Sequence, residues 1–598
     1  MRVLLVSLNS KYVHSNLALR YLREGVRPEF PQVEIKEFTI NELVSRIAGE
    51  IFEAKADVIG FSCYIWNLSE TLAVIRRLRP VLKNAKIVLG GPEVSFEAKE
   101  LMKEHAEVDA IVIGEGEVAF LELLRTWKLG EKLHNVKGLV FRDQDQVIQT
   151  GSNPLLAMSE LPIPYGEAED FTGRLVYVET SRGCPFNCEY CLSSTFKGVR
   201  FLEPERFRTM LKVLLNNGAR TIKFVDRTFN ANKGHAFAIL DIVREEAANF
   251  EEYENCRKSE RSGQSGHSGQ TGHSGIRVHC EMAGELLDAE WVEYLKKYPE
   301  GLLQLEIGVQ STYAPTLEII CRPQHFDSWN WIIEELKGRV PTHLDLIAGL
   351  PEEGWENFKT SFNTVYSVKP DVLQLGFLKV LKGSGLRGKR EQYGLVYSPD
   401  PPYEILETRV MTHSELLQLH RIEDILEKYH NSHRFKHSLK GLEALFSTPF
   451  DLYQAIAEFW RAQGWFKQSW SAKALFQNLW QFVESLSELE NLSARREEFR
   501  DYLRYDFYLA ERPGNLPEFL ANVNVSDPAE QEGLKNLRQD IQGDSRWAKL
   551  ISAYEQLDKR QWYRATAVDY FPNFKDKPPG WYLFFYGEPE IRAYRWEF

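Results

Sequence analysis

Along roughly the first 130 residues, short apolar runs alternate with amphipathic stretches: VLLVSL, VEIKEFT, DVIGFSCY, KIVLGG and DAIVIGEG, separated by segments such as LSETLAVIRRLRPVLKN. Parallel strands covered on both faces read as continuous apolar runs, so the pattern predicts a Rossmann-like parallel α/β domain over residues 1–140. Ligands in such sheets settle beyond the carboxyl ends of the strands. Those ends carry Asn9 to His14, Ser62 to Asn67, Gly90-Gly91-Pro92 and Gly114-Glu115-Gly116-Glu117. Gly90 and Gly91 allow a ligand close to the backbone and Ser62 offers a hydroxyl beside it, although glycines also end strands for turn geometry.

Residues 141–171 hold Asn, Pro and Gly breakers in GSNPLLAMSELPIPYG and read as a linker. Over residues 172–400 six further apolar runs, LVYVET, TIKFVD, IRVHCEM, LLQLEIGVQ, THLDLIAGL and DVLQLGFLKVL, predict a partial (β/α)6 barrel. Asp226, Glu281, Glu306, Gln310 and Asp345 interrupt or end these runs. Each alone reads as an ordinary strand-terminal polar residue; as a set they favour a polar ligand. Residues 255–275 are rich in Ser, Gly, Gln and His, cannot bury much apolar surface and read as a flexible insertion. Its His267 and His273 fit a solvated linker better than a metal site.

From residue 401 to 598 the alternation stops and helical patterns dominate, which makes the overall class α/β with a mainly α carboxyl-terminal domain. HNSHRFKHSLKG puts His430, His433 and His437 at i, i+3 and i+7 of one expected helical face, read as a basic exposed face rather than a metal site. Aromatics in DLYQAIAEFW, WFKQSW and LFQNLW read as core packing, and WYLFFYGE as one strand.

Composition narrows the class. A chain of 598 residues exceeds one core, and about 150 residues per domain suggests three or four units. The net charge of -12 and pI near 5.8 argue against a broad nucleic-acid surface. No apolar stretch approaches the roughly 18 residues of a membrane span, and the chain starts on a strand-like run without a basic leader. The expectation is a cytoplasmic protein with its 7 cysteines reduced.

Three of those cysteines change the picture. SRGCPFNCEYC places Cys184, Cys188 and Cys191 as C-x3-C-x2-C directly after the run LVYVET. Three thiolates on one short loop leave the fourth iron of a 4Fe-4S cluster open to an exogenous ligand, whereas an electron-transfer cluster usually has four cysteines. Structural zinc wants four ligands and no second Cys or His pair lies at suitable spacing; a disulfide is the other, weaker alternative.

RGCPFNCEYC, with Tyr190 before the third cysteine, resembles the cluster loop of the radical S-adenosylmethionine (SAM) superfamily. The resemblance implies that the open iron chelates SAM and that the cluster cleaves it to a 5'-deoxyadenosyl radical. It implies further that Asp226, in FVDR, stands where the methionyl amine is contacted, that Glu306 to Ser311, with Gln310, lies near the ribose, and that Gly349 in IAGLPE packs the adenine. Glu281 and Arg322 become hydrogen-bond and carboxylate partners of SAM. The first domain resembles the cobalamin-binding domains that precede such barrels, with Ser62, Gly90 and Gly91 matching the slot for the nucleotide tail. The D-x-H-x-x-G loop of His-ligated relatives is absent; the chain reads NSKYVHSN, which leaves His14 or no residue beneath the cobalt. LPIPY resembles the segment at this junction, and the last third an uncharacterised domain of some cobalamin-dependent members.

The resemblance implies a C-methyltransferase using the 4Fe-4S cluster, SAM and cobalamin on a small-molecule or peptide substrate, with an electron donor such as flavodoxin or ferredoxin. Alternatives are a radical cyclase or rearrangement enzyme without net methylation and a non-catalytic cobalamin sensor. A methylthiolating RNA enzyme should carry three cysteines in its first domain, where only Cys63 is present.

Overall fold

The computed structural model describes residues 1–166, 168–195, 198–262, 275–322, 324–486, 492–512, 516–520, 565–571, 573–574, 577–578, 580–586 and 591–596. They form two compact units, one over residues 1–267, 271–370 and 375–416 and the other over 268–270, 371–374 and 417–598.

The first unit opens with a sheet of β1 (Val3–Asn9), β2 (Val33–Thr39), β3 (Val58–Ser62), β4 (Lys86–Gly90), β5 (Ala110–Val112), β6 (Leu139–Asp143) and β7 (Gln146–Gln149). The order is β2-β1-β3-β4-β5-β6-β7. The first five strands run parallel, and β6 and β7 add antiparallel. This hairpin carries the sheet to Gln149, past the boundary expected at 140. Its register is set by pairing with β5, which periodicity within residues 141–149 does not reveal. All seven residues of β1 are buried. Leu4, Val6 and Leu8 pack into one core with Ile47, Ile51 and Ile75, and Val3 and Leu5 into the opposite core with Leu19, Phe120 and Leu123.

The second sheet begins with β8 (Leu175–Val178). A short antiparallel ribbon, β9 (Ser181–Gly183) with β10 (Val199–Phe201), frames the cysteine loop. β11 (Thr221–Phe224), β12 (Arg277–Met282), β13 (Leu303–Gln310), β14 (Thr342–Ala348) and β15 (Val372–Phe377) complete six strands in the order β15-β14-β13-β12-β11-β8. This sequential sheet is the expected partial barrel. β13 alternates buried and half-buried positions along its length, because its apolar side chains face the covering helices and its polar ones the barrel interior. The first domain closes onto the free edge of β8: Leu175 N donates to Val13 O at 2.7 Å and Ser15 Oγ to Leu175 O at 3.1 Å.

The helix Lys233–Ser262 runs into the stretch expected to be a flexible insertion; the rest of that stretch, with His267 and His273, lies outside the described residues. Beyond the barrel, β16 (Val396–Tyr397) and β17 (Ile405–Glu407) pair antiparallel.

The second unit contains helices Lys436–Glu443, Pro449–Gln463, Ala472–Ser485 and Leu492–Ala510. WYLFFYGE contributes to β19 (Gly580–Phe585), the middle strand of a sheet with β18 (Thr566–Phe571) and β20 (Arg592–Trp596). The three histidines do not share a helical face: His430 and His433 lie in the turn after Tyr429, where His433 has φ 58°, and only His437 is helical. His437 Nδ1 meets Asp506 Oδ1 at 2.7 Å, and Ser438 N and Oγ both donate to Asp506, so this carboxylate caps the helix start. Among the described residues no helix is long and apolar enough to cross a membrane.

Candidate cofactor site

The cysteine loop leaves β9 through Gly183, whose φ of 104° and contact with the Gly198 carbonyl leave no room for a Cβ. Cys188 is buried, while Cys184 and Cys191 are half-buried. Cys184 Sγ lies 3.3 Å from Thr228 Oγ1, and Ser193 N donates to Cys191 Sγ at 3.4 Å. Arg322 Nη1 stands 3.8 Å from Cys188 Sγ, with its guanidinium 5.5 Å from the centre of the Phe186 ring. Burial pushes the Cys188 thiol up and Arg322 opposes this, so the cation favours the thiolate that a cluster needs. Three thiol donors on one loop fit an iron-sulfur cluster.

Asp226 is 1% exposed and sits at the root of this loop. Its carboxylate accepts from Thr180 N at 2.9 Å, Thr180 Oγ1 at 2.7 Å and Ser181 Oγ at 2.6 Å. Burial raises its pKa to about 6 against those hydrogen bonds. Oδ2 accepts from the Thr180 backbone and Oδ1 from the Thr180 and Ser181 hydroxyls, so Asp226 anchors the turn that leads into the cysteine loop.

A cavity of about 670 Å³ joins the carboxyl ends of the first sheet to this loop. Its walls include Ser62, Gly90, Gly91 and Gly116 on one side and Ser181, Arg182, Leu192 and Arg227 on the other. Between β3 and the helix Glu117–Leu129 it becomes an apolar slot lined by Leu5, Gly60, Val88 and Phe120. Gly91 has φ 114° and an added Cβ would lie 2.5 Å from Cys63 O, so glycine is required there. At Gly90 an added Cβ would find no protein atom nearer than 3.8 Å, which is the open cradle a bulky ligand needs. Ser62 is held by Asn16, whose Nδ2 donates to Ser62 Oγ at 3.0 Å.

Local patterns did not single out Arg182. It donates to Glu115 at 3.1 Å and to Glu117 and Glu179 at 2.7 Å each, and Glu115 also pairs with Arg200. This network links the GEGE strand end to the cysteine ribbon. Its sequence signal was the unexplained pair of acids in GEGE, Glu115 and Glu117.

His14 does not line the cavity. Its Nδ1 meets the Tyr177 hydroxyl at 2.7 Å, and burial, with Lys11 nearby, lowers its pKa. His14 is thus engaged at the edge of the barrel sheet, by the Tyr177 hydroxyl.

Inside the barrel Glu281 and Glu306 face Lys223 Nζ at 3.4 and 2.9 Å, and His279 Nε2 lies 3.1 Å from Glu306. Burial would raise Glu306, but His279 and Lys223 hold it down at about 2. Because side chains alternate along β13, Glu306 points into the interior four residues below the strand end, about 13 Å away, and only Gln310 (φ 69°) remains at that end. The two carboxylates are thus engaged away from the cysteine loop. Gly349, at φ 81°, makes room for Ile405 of β17, whose Cγ2 would lie 2.6 Å from an added Cβ. Asp345 lies beside His343 at 3.2 Å.

A parallel sheet with a strand-end cavity, facing a partial barrel with a three-cysteine loop, is the arrangement expected of a radical SAM domain beside a second cofactor domain. Residues 3–124 match the family described as B12 binding domain, 178–365 the radical SAM superfamily, and 391–578 a domain described as a protein of unknown function, DUF4080. The chain thus carries a B12-binding domain and a radical SAM domain, and these domains imply cobalamin, a 4Fe-4S cluster and SAM. It is 32% identical over 243 residues to the uncharacterized methyltransferase PH0819 of Pyrococcus horikoshii, covering 38% of this chain and 52% of that protein. It is 26% identical over 375 residues to the cobalamin-dependent radical SAM methyltransferase TokK of Streptomyces tokunonensis, covering 58% and 50%. The chain thus spans about half the length of these curated relatives. A solved structure of the cobalamin-dependent SAM radical enzyme OxsB, with aqua-cobalamin and SAM bound, shares its fold at a TM-score of 0.53 and 15% identity, covering 94% of this chain and 83% of that one.

Proposed function

We propose that the protein is a cobalamin-dependent radical SAM methyltransferase acting at carbon. The observation that carries the reading is the single cavity walled by Ser62, Gly90 and Gly91 on one side and by the root of the cysteine loop on the other. The bound groups supply one-electron cleavage of SAM and a carried methyl group.

The chain's own residues hold and orient them. Cys184, Cys188 and Cys191 would ligate the cluster, and Arg322 would balance negative charge beside Cys188. Asp226 fixes Ser181, and with it the direction in which the loop leaves the sheet. Gly90 and Gly91 admit the nucleotide tail, and Arg182 ties the strand ends to the loop so that both cofactors meet one space. Gln310 and the Gly349 turn stand at strand ends, where they would hold SAM. A small-molecule or peptide substrate, and reduction by a flavodoxin or ferredoxin in the cytoplasm, complete the proposal.

The test is anaerobic purification with hydroxocobalamin, followed by mass spectrometry for 5'-deoxyadenosine and S-adenosylhomocysteine with and without cell extract. Both products should rise together with a species heavier by one methylene. A protein that binds cobalamin and never cleaves SAM would be a sensor. One that forms 5'-deoxyadenosine from extract without S-adenosylhomocysteine would be a cyclase or rearrangement enzyme.

A further inference from the structure

We propose that the barrel interior holds a divalent transition-metal ion on His279, Glu306 and His343, separate from the cysteine cluster and independent of the methyl-transfer reading. The three residues lie on consecutive strands β12, β13 and β14, with Glu306 in register with His343 and with Glu281. Their donor atoms all fall within 4.8 Å of one another, and His279 Nε2 to Glu306 Oε2 is 3.1 Å. Bonds of about 2.0–2.2 Å separate neighbouring donors on one ion by about 3–3.5 Å, so side-chain rotation alone closes the set. Two imidazoles and a carboxylate suit zinc, iron(II) or cobalt(II) rather than magnesium or calcium.

A second observation points to a missing partner at the same place. His279 Nε2 and Asp345 Oδ1 are buried and, although Glu306 and His343 stand 3.1 and 3.2 Å away, neither has a partner in full hydrogen-bonding geometry among the described residues. Buried polar atoms left in this way call for a water or an ion. Asp345 Oδ1 lies 3.2 Å from His343 Nε2, close enough to serve as a fourth ligand or to orient the imidazole.

Charge favours the same ligand. Glu281, Glu306 and Asp345 are three carboxylates facing one ammonium, Lys223, and two imidazoles. Ionised, three negative charges against one positive leave -2, which a divalent ion neutralises. Lys223 is the competitor, since its Nζ lies 2.9 Å from the Glu306 oxygen, and on metal entry it retains Glu281 at 3.4 Å.

Zinc is titrated into the full-length, cluster-loaded protein, and bound zinc is counted by mass spectrometry after desalting. One zinc per chain is expected, retained when Cys184, Cys188 and Cys191 are all replaced by serine. His279→Ala and His343→Ala should each weaken binding at least 100-fold. Lys223→Met should tighten it about tenfold by removing the competing ammonium, an effect no surface zinc would show. Thermal melting checks each fold, and His279→Asn replaces His279→Ala if the latter does not fold. Substoichiometric zinc in the wild type, or zinc lost with the cysteines and kept in the His279 variants, overturns the proposal.

Discussion

The two parallel sheets of the first unit are built from the same alternation of strands and helices, yet they offer ligands different places. In the amino-terminal sheet every residue of β1 is buried, with helices on both faces, so only the strand ends remain free and the cavity sits there. In the barrel sheet β12, β13 and β14 alternate, and the interior face carries Lys223, His279, Glu281, Glu306, His343 and Asp345. A closed barrel fills that space with packed apolar layers. An open six-stranded one leaves a polar interior in addition to its strand ends, and therefore has two places to bind.

The largest effect separates the two sheets outright. Cys188→Ala should remove the cluster absorbance and bring SAM cleavage to the detection limit while cobalamin stays bound; loss of cobalamin in the same variant would mean that the cavity depends on the loop for its integrity.

Gly91→Ala and Gly90→Ala sharpen the account of the strand-end cavity. The first drives a Cβ against the Cys63 carbonyl and should cost about 1–3 kcal/mol in urea unfolding. The second meets open space and should change stability by less than about 0.5 kcal/mol while weakening cobalamin binding. Equal stability losses would show that the two glycines do the same job.

Asp226→Asn tests the anchor of the cysteine loop through pH. The folded-state pKa of about 6 lies above the unfolded value of about 3.9, so the native state holds this proton more tightly. Its contribution is therefore full below about pH 4 and falls as pH rises through about 6, by roughly 2–3 kcal/mol in all. Urea midpoints of the wild type should drop over that window more than those of Asp226→Asn; parallel curves would contradict the burial argument.

The smallest effect concerns His14. His14→Ala should cost about 1 kcal/mol for the lost Tyr177 hydrogen bond and leave the visible spectrum of bound cobalamin unchanged. A spectral shift would place the imidazole on the cobalt and undo the contrast between cavity and barrel edge.

Much of this was legible along the chain. Apolar runs marked both sheets, since burial on one or both faces is written into consecutive residues, and Cys184, Cys188 and Cys191 announced their chemistry because all three lie on one loop. Ser62, Gly90 and Gly91 were singled out because ligand sites at strand ends follow from topology, and all three line the cavity. The β6–β7 hairpin was missed because its short segments take their register from β5. The resemblance gave Asp226 and Glu306 contacts to SAM, and only the direction of each side chain shows that one stands at the loop root and the other in the barrel interior.

The sequence by itself determined the order of the units, their fold classes and the cluster loop, because those depend on periodicity and spacing within a few tens of residues. Only the tertiary structure decided that Arg182 reaches Glu115 and Glu117, that His14 joins Tyr177 rather than the cavity, and that His279, Glu306 and His343 meet. Each of these contacts joins residues from different strands or domains, and their meeting is set by sheet order and register, which no local pattern encodes.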